Sequence, residues 1–164
     1  MKVLQRNGVV NEVSFDSKEG KEAFWHTSAH VLAQAVKRLY PEVKCAIGPA
    51  IESGFYYDFD FPFSFSDEQL LEVEKEMKKI VKESLSLQVY EVSRQEAIAY
   101  MEEHDEPYKL ELIKELPEGE KISFYKQGEY AEFCAGPHIG NVSAIKAIKL
   151  LSVAGAYWRG SEKN

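Results

Sequence analysis

The chain has 164 residues, enough for one well-packed domain. Its net charge of −7, from 27 acidic and 20 basic side chains, excludes a module that grips nucleic acid unaided, because such affinity rests on Lys and Arg releasing counterions. No apolar run is long enough to span a bilayer and no leader-like pattern opens the chain; its 2 cysteines lie far apart, as free thiols in a reducing compartment do. A cytoplasmic location with no membrane partner is expected.

Val9, Val10 and Val13 around Asn7-Gly8 suggest a short N-terminal strand or hairpin. Trp25, Ala29, Leu32, Val36 and Leu39 recur at helical spacing and predict a long helix over 21–40, ended by Pro41. His26 and His30 stand one turn apart on that helix, off the centre of the apolar stripe, so the pair is expected to face a cleft. Over 55–61 the residues Phe55, Tyr57, Phe59 and Phe61 alternate with Tyr56, Asp58 and Asp60, the pattern of a half-buried strand. Ser66 and Gln69 form a capping box opening a second helix, whose apolar face is Leu70, Val73, Met77, Ile80 and Val81.

A strand is expected over 87–92, followed by a short helix that Ser93 and Glu96 cap and that runs to about 103. Pro107 and Pro117 bracket a helix over 108–116. Further strands are expected over 122–126, 130–134 and 145–153. Helices and strands mix without regular alternation, which gives an α+β fold: a mainly antiparallel sheet packed against helices, with the His-x-x-x-His motif on the long helix.

Two short segments carry chemistry. His26-Thr27-Ser28-Ala29-His30 and Cys134-Ala135-Gly136-Pro137-His138 share one spacing and hold all but one of the 4 histidines. If the fold joins them, three imidazoles and a thiol converge. His₃Cys is a sound zinc set, although four protein ligands close a tetrahedral site and make it structural. The first motif lacks the Glu of a zinc-protease helix. Alternatively, the same groups orient and polarise a hydrolytic water, as histidine does near neutral pH. The residues support either reading. His104, among Glu102, Glu103 and Asp105, reads as a solvated histidine.

Together with the stretch from Ala46 to Asp60, Pro107-Tyr108-Lys109-Leu110 and the stretch from Leu150 to Gly160, these motifs resemble the editing domain of bacterial-type threonyl-tRNA synthetases. That domain is shared in outline with the alanyl enzymes. The likeness runs from Trp25 to the end, implying an editing domain over 25–164 behind a short N-terminal extension over 1–24. Nothing resembles the aminoacylation or anticodon-binding domains, so the chain is expected to be a free-standing editor or an excised fragment.

The resemblance implies post-transfer editing, the hydrolysis of mischarged seryl-tRNA(Thr). Serine lacks one methyl of threonine, and a missing methylene gives only about 1–3 kcal/mol of discrimination, so a second site must remove the error. The implied partners are the tRNA(Thr) acceptor end carrying serine and the rest of a synthetase. By position, His26, His30, Lys109, Cys134 and His138 carry over as catalytic, with Tyr57 and Glu132 binding substrate. Lys109 would steer a water or stabilise an oxyanion.

Glu132 stands where the family commonly has Asp, and Ala135 where the threonyl branch often has Arg, which removes a phosphate or RNA contact. The alanyl branch binds zinc at the positions of His26, His30, Cys134 and His138, whereas the threonyl branch is described as working without it. No cofactor is therefore expected to be required, zinc being the metal this set suits. Two rival readings are a structural zinc or interaction module without catalysis, and a metal hydrolase acting on a small molecule.

Overall fold

The computed structural model describes residues 1–48, 50–51, 54–146 and 150. Strands β1 (Lys2–Leu4) and β2 (Val10–Glu12) pair antiparallel as the hairpin expected around Asn7-Gly8, with Gly8 at φ +88°. A later strand, His138–Ile139, pairs with the other edge of β1 and sets Val3 opposite Ile139 and Leu4 opposite His138. Val3 and Leu4 are buried in the main core, so the first residues of the chain pack directly beside the second motif.

Helix α1 (Lys18–Leu39) begins three residues earlier than its apolar spacing predicts. Ser17 caps it, its hydroxyl accepting the Gly20 N–H at 3.0 Å. Gly20 reads as a helix breaker, but it suits a helix here because a Cβ would lie 2.2 Å from the Ser14 carbonyl oxygen. Tyr40 leaves the helix at φ −136°, ψ 77°, outside the helical region that a following proline disfavours.

The expected stripe describes a helix buried on one side, but α1 is central. Thr27, Ser28, Ala29, His30, Val31, Ala33, Gln34, Ala35 and Val36 are all buried, while Trp25, Leu32 and Leu39 are only half-buried.

The strand expected over 55–61 is broken. β3 (Lys44–Cys45) pairs with β6 (Phe59–Asp60), and β4 (Ala50–Ile51) with β5 (Gly54–Phe55), all antiparallel. One more residue lies between Cys45 and Ala50 than between Phe55 and Phe59, so the ladder cannot stay in register along the whole hairpin. Between the pieces Asp58 still exchanges backbone hydrogen bonds with Ala46 and Ile47. Tyr57, Phe59, Phe61 and Phe65 continue as an aromatic row, with the Tyr57–Phe59 and Phe61–Phe65 rings stacked at 4.6 and 4.5 Å.

Helix α2 (Asp67–Lys82) has the predicted capping box and buries Val73, Met77 and Ile80 against α1. The strands β7 (Leu87–Val92), β8 (Ile122–Gln127) and β9 (Tyr130–Phe133) form one antiparallel sheet in that order. Helix α3 (Arg94–Glu103), with the second predicted capping box, and α4 (Pro107–Lys114) form a smaller core with that sheet, centred on Ala97, Met101, Ile113, Ile122 and Phe124.

β10 (His138–Ile139) follows and leads into a 3-10 turn, Val142–Ala144. Of the strand expected over 145–153, Ile145, Lys146 and Leu150 are not in a strand, and the rest lies outside the described residues. Asn141 accepts the Ser143 N–H and tightens the chain into the turn, which drops Ile145 into the core without a ladder partner. The class is α+β, with four helices and antiparallel sheets among the described residues. No described helix is long and apolar enough to cross a membrane.

Candidate active site

Helix α1 supplies His26, Thr27 and His30; β9 and the loop after it supply Tyr130, Glu132 and Cys134; β10 supplies His138; α4 supplies Lys109. β10 packs against α1, so the two motifs meet. The ring centroid of His138 is 4.2 Å from that of His30 and 5.8 Å from that of His26. Between Cys134 and His138 the chain reverses through Gly136 at φ +74°, and the Gly136–Pro137 peptide is cis. Only glycine fits there: a Cβ would lie 2.1 Å from the Tyr125 hydroxyl. The reversal returns His138 Nε2 to 3.2 Å from Cys134 Sγ, which also accepts the Gly136 N–H at 3.3 Å.

The charge states follow from burial. His30 and His138 are held well below the usual imidazole range by desolvation first, then by neighbouring positive charge, so both rings are neutral near pH 7. Burial also pushes the Cys134 thiol up to about 12 against the pull of the Gly136 N–H, so the His138–Cys134 contact joins a neutral ring to a thiol. A thiol held protonated is a poor nucleophile, which favours an attacking water over a covalent intermediate on sulfur. His26 is half-buried. Its Nδ1 lies 3.4 Å from the Pro137 carbonyl oxygen, which can only accept, so in the neutral ring Nε2 keeps its lone pair.

Behind the imidazoles, Glu132 gathers donors. Its Oε1 meets Lys109 Nζ at 2.7 Å and the Tyr57 hydroxyl; its Oε2 accepts the Tyr130 hydroxyl at 2.9 Å and lies 3.2 Å from His30 Nε2. Burial works against the Lys109 ammonium, but nearby negative charge, Glu132 first, and the Glu132 hydrogen bond outweigh it and raise the group above its ordinary value. Tyr57 and Tyr130 are pushed well above the usual phenol range by burial and then by the same carboxylate, so both donate. With Nε2–H facing Glu132, His30 Nδ1 keeps a lone pair, buried and without a partner among the described residues.

All seven residues selected from the sequence therefore fall in one neighbourhood, in two groups. His26, Cys134 and His138 form one, their ligand atoms all within 4.8 Å of each other, a set that could hold a metal ion. His30, Lys109, Tyr57 and Glu132 form the other, so His30 is turned to the carboxylate and does not complete a four-ligand set. A cavity of about 300 Å³ opens beside the second group, with Lys109 and Tyr130 in its wall alongside Cys45, Tyr100 and Met101. Neither helical histidine lines it.

Thr27 and Tyr130 were not selected from the sequence. Tyr130 had a signal: it lies two residues before Glu132 on the same strand and therefore on the same face. Thr27 had none, since a threonine between two histidines on a helix reads as filler.

Comparison with known proteins places this geometry. Residues 122–164 match the family model described as the threonyl and alanyl tRNA synthetase second additional domain. The chain is 59% identical over 161 residues to the threonine–tRNA ligase of Acetivibrio thermocellus, covering 98% of this chain and 25% of that protein. It is 58% identical over 164 residues to the ligase of Clostridium tetani, covering 100% of this chain and 26% of that one. For the Clostridium acetobutylicum ligase the identity is 61% over 152 residues, covering 93% and 24%. The chain thus spans about a quarter of the length of the curated relatives it matches. Along its whole length the chain is similar to threonine–tRNA ligases, and its residues 122–164 carry the second additional domain shared by threonyl and alanyl tRNA synthetases.

Proposed function

We propose that the chain is an aminoacyl-tRNA ester hydrolase, which removes serine from mischarged seryl-tRNA(Thr) as the editing part of a threonine–tRNA ligase. The observation that carries this reading is the meeting of the two motifs, with His138 between His26, His30 and Cys134, in a chain whose relatives are named threonine–tRNA ligases.

The chemistry asks for three things. His26 Nε2, on the half-buried side of the cluster, takes a proton from a water as the water oxygen bonds to the seryl carbonyl carbon. The Lys109 ammonium, kept charged by Glu132, and the Tyr57 hydroxyl stabilise the negative oxygen that develops. The carbon–oxygen bond to the terminal ribose then breaks and the proton passes to the ribose oxygen, leaving free serine and a tRNA ready for recharging. The extra methyl of threonine is crowded out. The acidic chain supplies little grip on phosphates, so the acceptor end is delivered by other parts of the synthetase.

The donor chemistry of His26, Cys134 and His138 also suits zinc, which these three groups would hold. Zinc bound there would supply a water of lowered pKa, and Cys134 would have to release its proton to bind it. The reading proposed here needs no metal. A second reading, a structural zinc or interaction module, rests on the same three groups.

Release of serine and of threonine from the two charged tRNA(Thr) species, measured side by side with and without a chelator, tests these readings. Faster release of serine is expected, abolished by His26→Ala. Equal rates would remove the specificity, and no release would leave the module without catalysis.

A further inference from the structure

Thr27 sits between the two helical histidines and is wholly buried. Its Oγ1 accepts the Ile139 backbone N–H at 3.0 Å and lies 2.9 Å from His138 Nδ1. The other ring nitrogen of His138 faces Cys134 Sγ at 3.2 Å. The imidazole is thus bonded at both ends, while the Tyr125 and His30 rings pack at 4.3 and 4.2 Å centroid distance. A half-turn of the ring would set carbon atoms against both the hydroxyl and the sulfur and forfeit both bonds.

A buried threonine within a helix commonly turns its hydroxyl back to its own helix. Here the hydroxyl reaches a ring 111 residues away. If it donates to Nδ1, then Nε2–H donates to the sulfur; if it accepts from Nδ1–H, then Nε2 accepts from the thiol. In either arrangement the threonine oxygen and the sulfur fix the ring between them.

We propose that Thr27 is a positioning residue of the editing reaction: its hydroxyl sets the orientation of the His138 ring, and through that ring the direction of Cys134. The proposal rests on the hydrolytic reading above. Thr27 touches no reacting atom; it acts through His138, as hydrogen-bond partners of active-site imidazoles do, and such partners commonly matter about 10–100-fold in activity. Deleting the hydroxyl also leaves the Ile139 N–H without its acceptor, so a stability effect is expected beside the kinetic one.

The experiment compares Thr27→Val, which keeps the shape and removes the hydroxyl, with Thr27→Ser, which keeps the hydroxyl and removes the methyl. Seryl-tRNA(Thr) deacylation is measured alongside the imidazole nitrogen NMR shifts of His138. Thr27→Val is expected to lower kcat about 10–100-fold at nearly constant KM and to move the His138 nitrogens away from their wild-type pattern. Thr27→Ser keeps kcat within about threefold and preserves that pattern.

A merely structural threonine would show melting losses in both variants with folded protein of normal kcat. Wild-type kcat in Thr27→Val, equal losses in Val and Ser, or unchanged nitrogen shifts in Thr27→Val would each overturn the proposal. Should Thr27→Val not fold, Thr27→Ala is set against Thr27→Ser, and identical kcat and shifts in that pair would overturn it. If the wild-type chain releases no serine, the hydrolytic reading falls, and the NMR contrast still decides whether Thr27 orients His138.

Discussion

Lys109 Nζ lies 2.7 Å from Glu132 Oε1, and both side chains are almost sealed from water, at 6% exposure each. Removing one partner leaves the other charged and buried, which costs more than the pair contributes. Glu132→Gln is expected to destabilise the chain by about 3–5 kcal/mol in urea titration. The double change Glu132→Gln with Lys109→Met should be less damaging than the sum of the two single changes. Strictly additive losses would mean that the two charges are not coupled in solution.

Cys45 tests the electrostatics away from the imidazoles. Burial pushes its thiol up to about 12, Lys109 opposing and Glu106 and Glu132 reinforcing the shift. In Cys134→Ser the other cysteine is Cys45. Its alkylation by iodoacetamide at pH 8, followed by mass spectrometry, should be at least about 100-fold slower than that of a free cysteine, whose pKa is about 8.5. The rate should keep climbing past pH 9; a plateau there would contradict the burial.

Arg38 reaches Glu83 at 2.6 Å and Glu129 at 2.5 Å. Its hydrogen bonds hold the Glu83 carboxyl below the usual range. Burial pushes Glu129 up, but Arg38, a backbone N–H and Gln34 outweigh it. A depressed carboxylate contributes stability above its unfolded pKa and loses it as pH falls through the lower folded value. Arg38→Met should therefore cost about 1 kcal/mol at pH 7, after discounting for solvent screening of these exposed carboxylates, and progressively less below pH 4. A cost that stays constant down to pH 2 would point to packing of the arginine stem instead.

Gly136→Ala would force a side chain into a left-handed conformation and against the Tyr125 ring. The backbone term is about 1–2 kcal/mol, and overpacking adds about 1–3 kcal/mol. A loss of at least about 2 kcal/mol in thermal or urea unfolding is expected, with serine release falling in step because the reversal aims His138. An unchanged melting temperature would show that the loop relaxes freely.

Local signals in the sequence were strong wherever hydrogen bonding is local. The Ser66 and Ser93 capping boxes, the helix stop at Pro41 and the strand over 87–92 lie where spacing and caps put them, and the strand expected over 122–126 runs one residue further, to Gln127. What failed depended on distant partners. The start of α1 was hidden because Gly20 looks like a breaker until the Ser14 carbonyl is seen beside it. β10 was missed because two residues carry no period, and they form a strand only because β1 supplies an edge. The burial of His30 was missed because the stripe on α1 implies one packed side, while the fold packs the helix on several. Matching spacing brought the histidines and Cys134 into view, but not their division into two groups, in which His30 turns to Glu132 instead of joining His26, Cys134 and His138.

The separation between α1 and β10 also sets a clock. During synthesis the helix bearing His26 and His30 leaves the ribosome roughly a hundred residues ahead of the strand that completes the pocket, and closing so long a loop is slow compared with forming the helix. A nascent chain therefore carries its imidazoles for seconds with nothing to aim them, and the two motifs meet only when the last strands dock. Changes that delay that docking, such as weakening Val3 against Ile139, would lengthen the lag before the two motifs meet while leaving the finished cluster as it is.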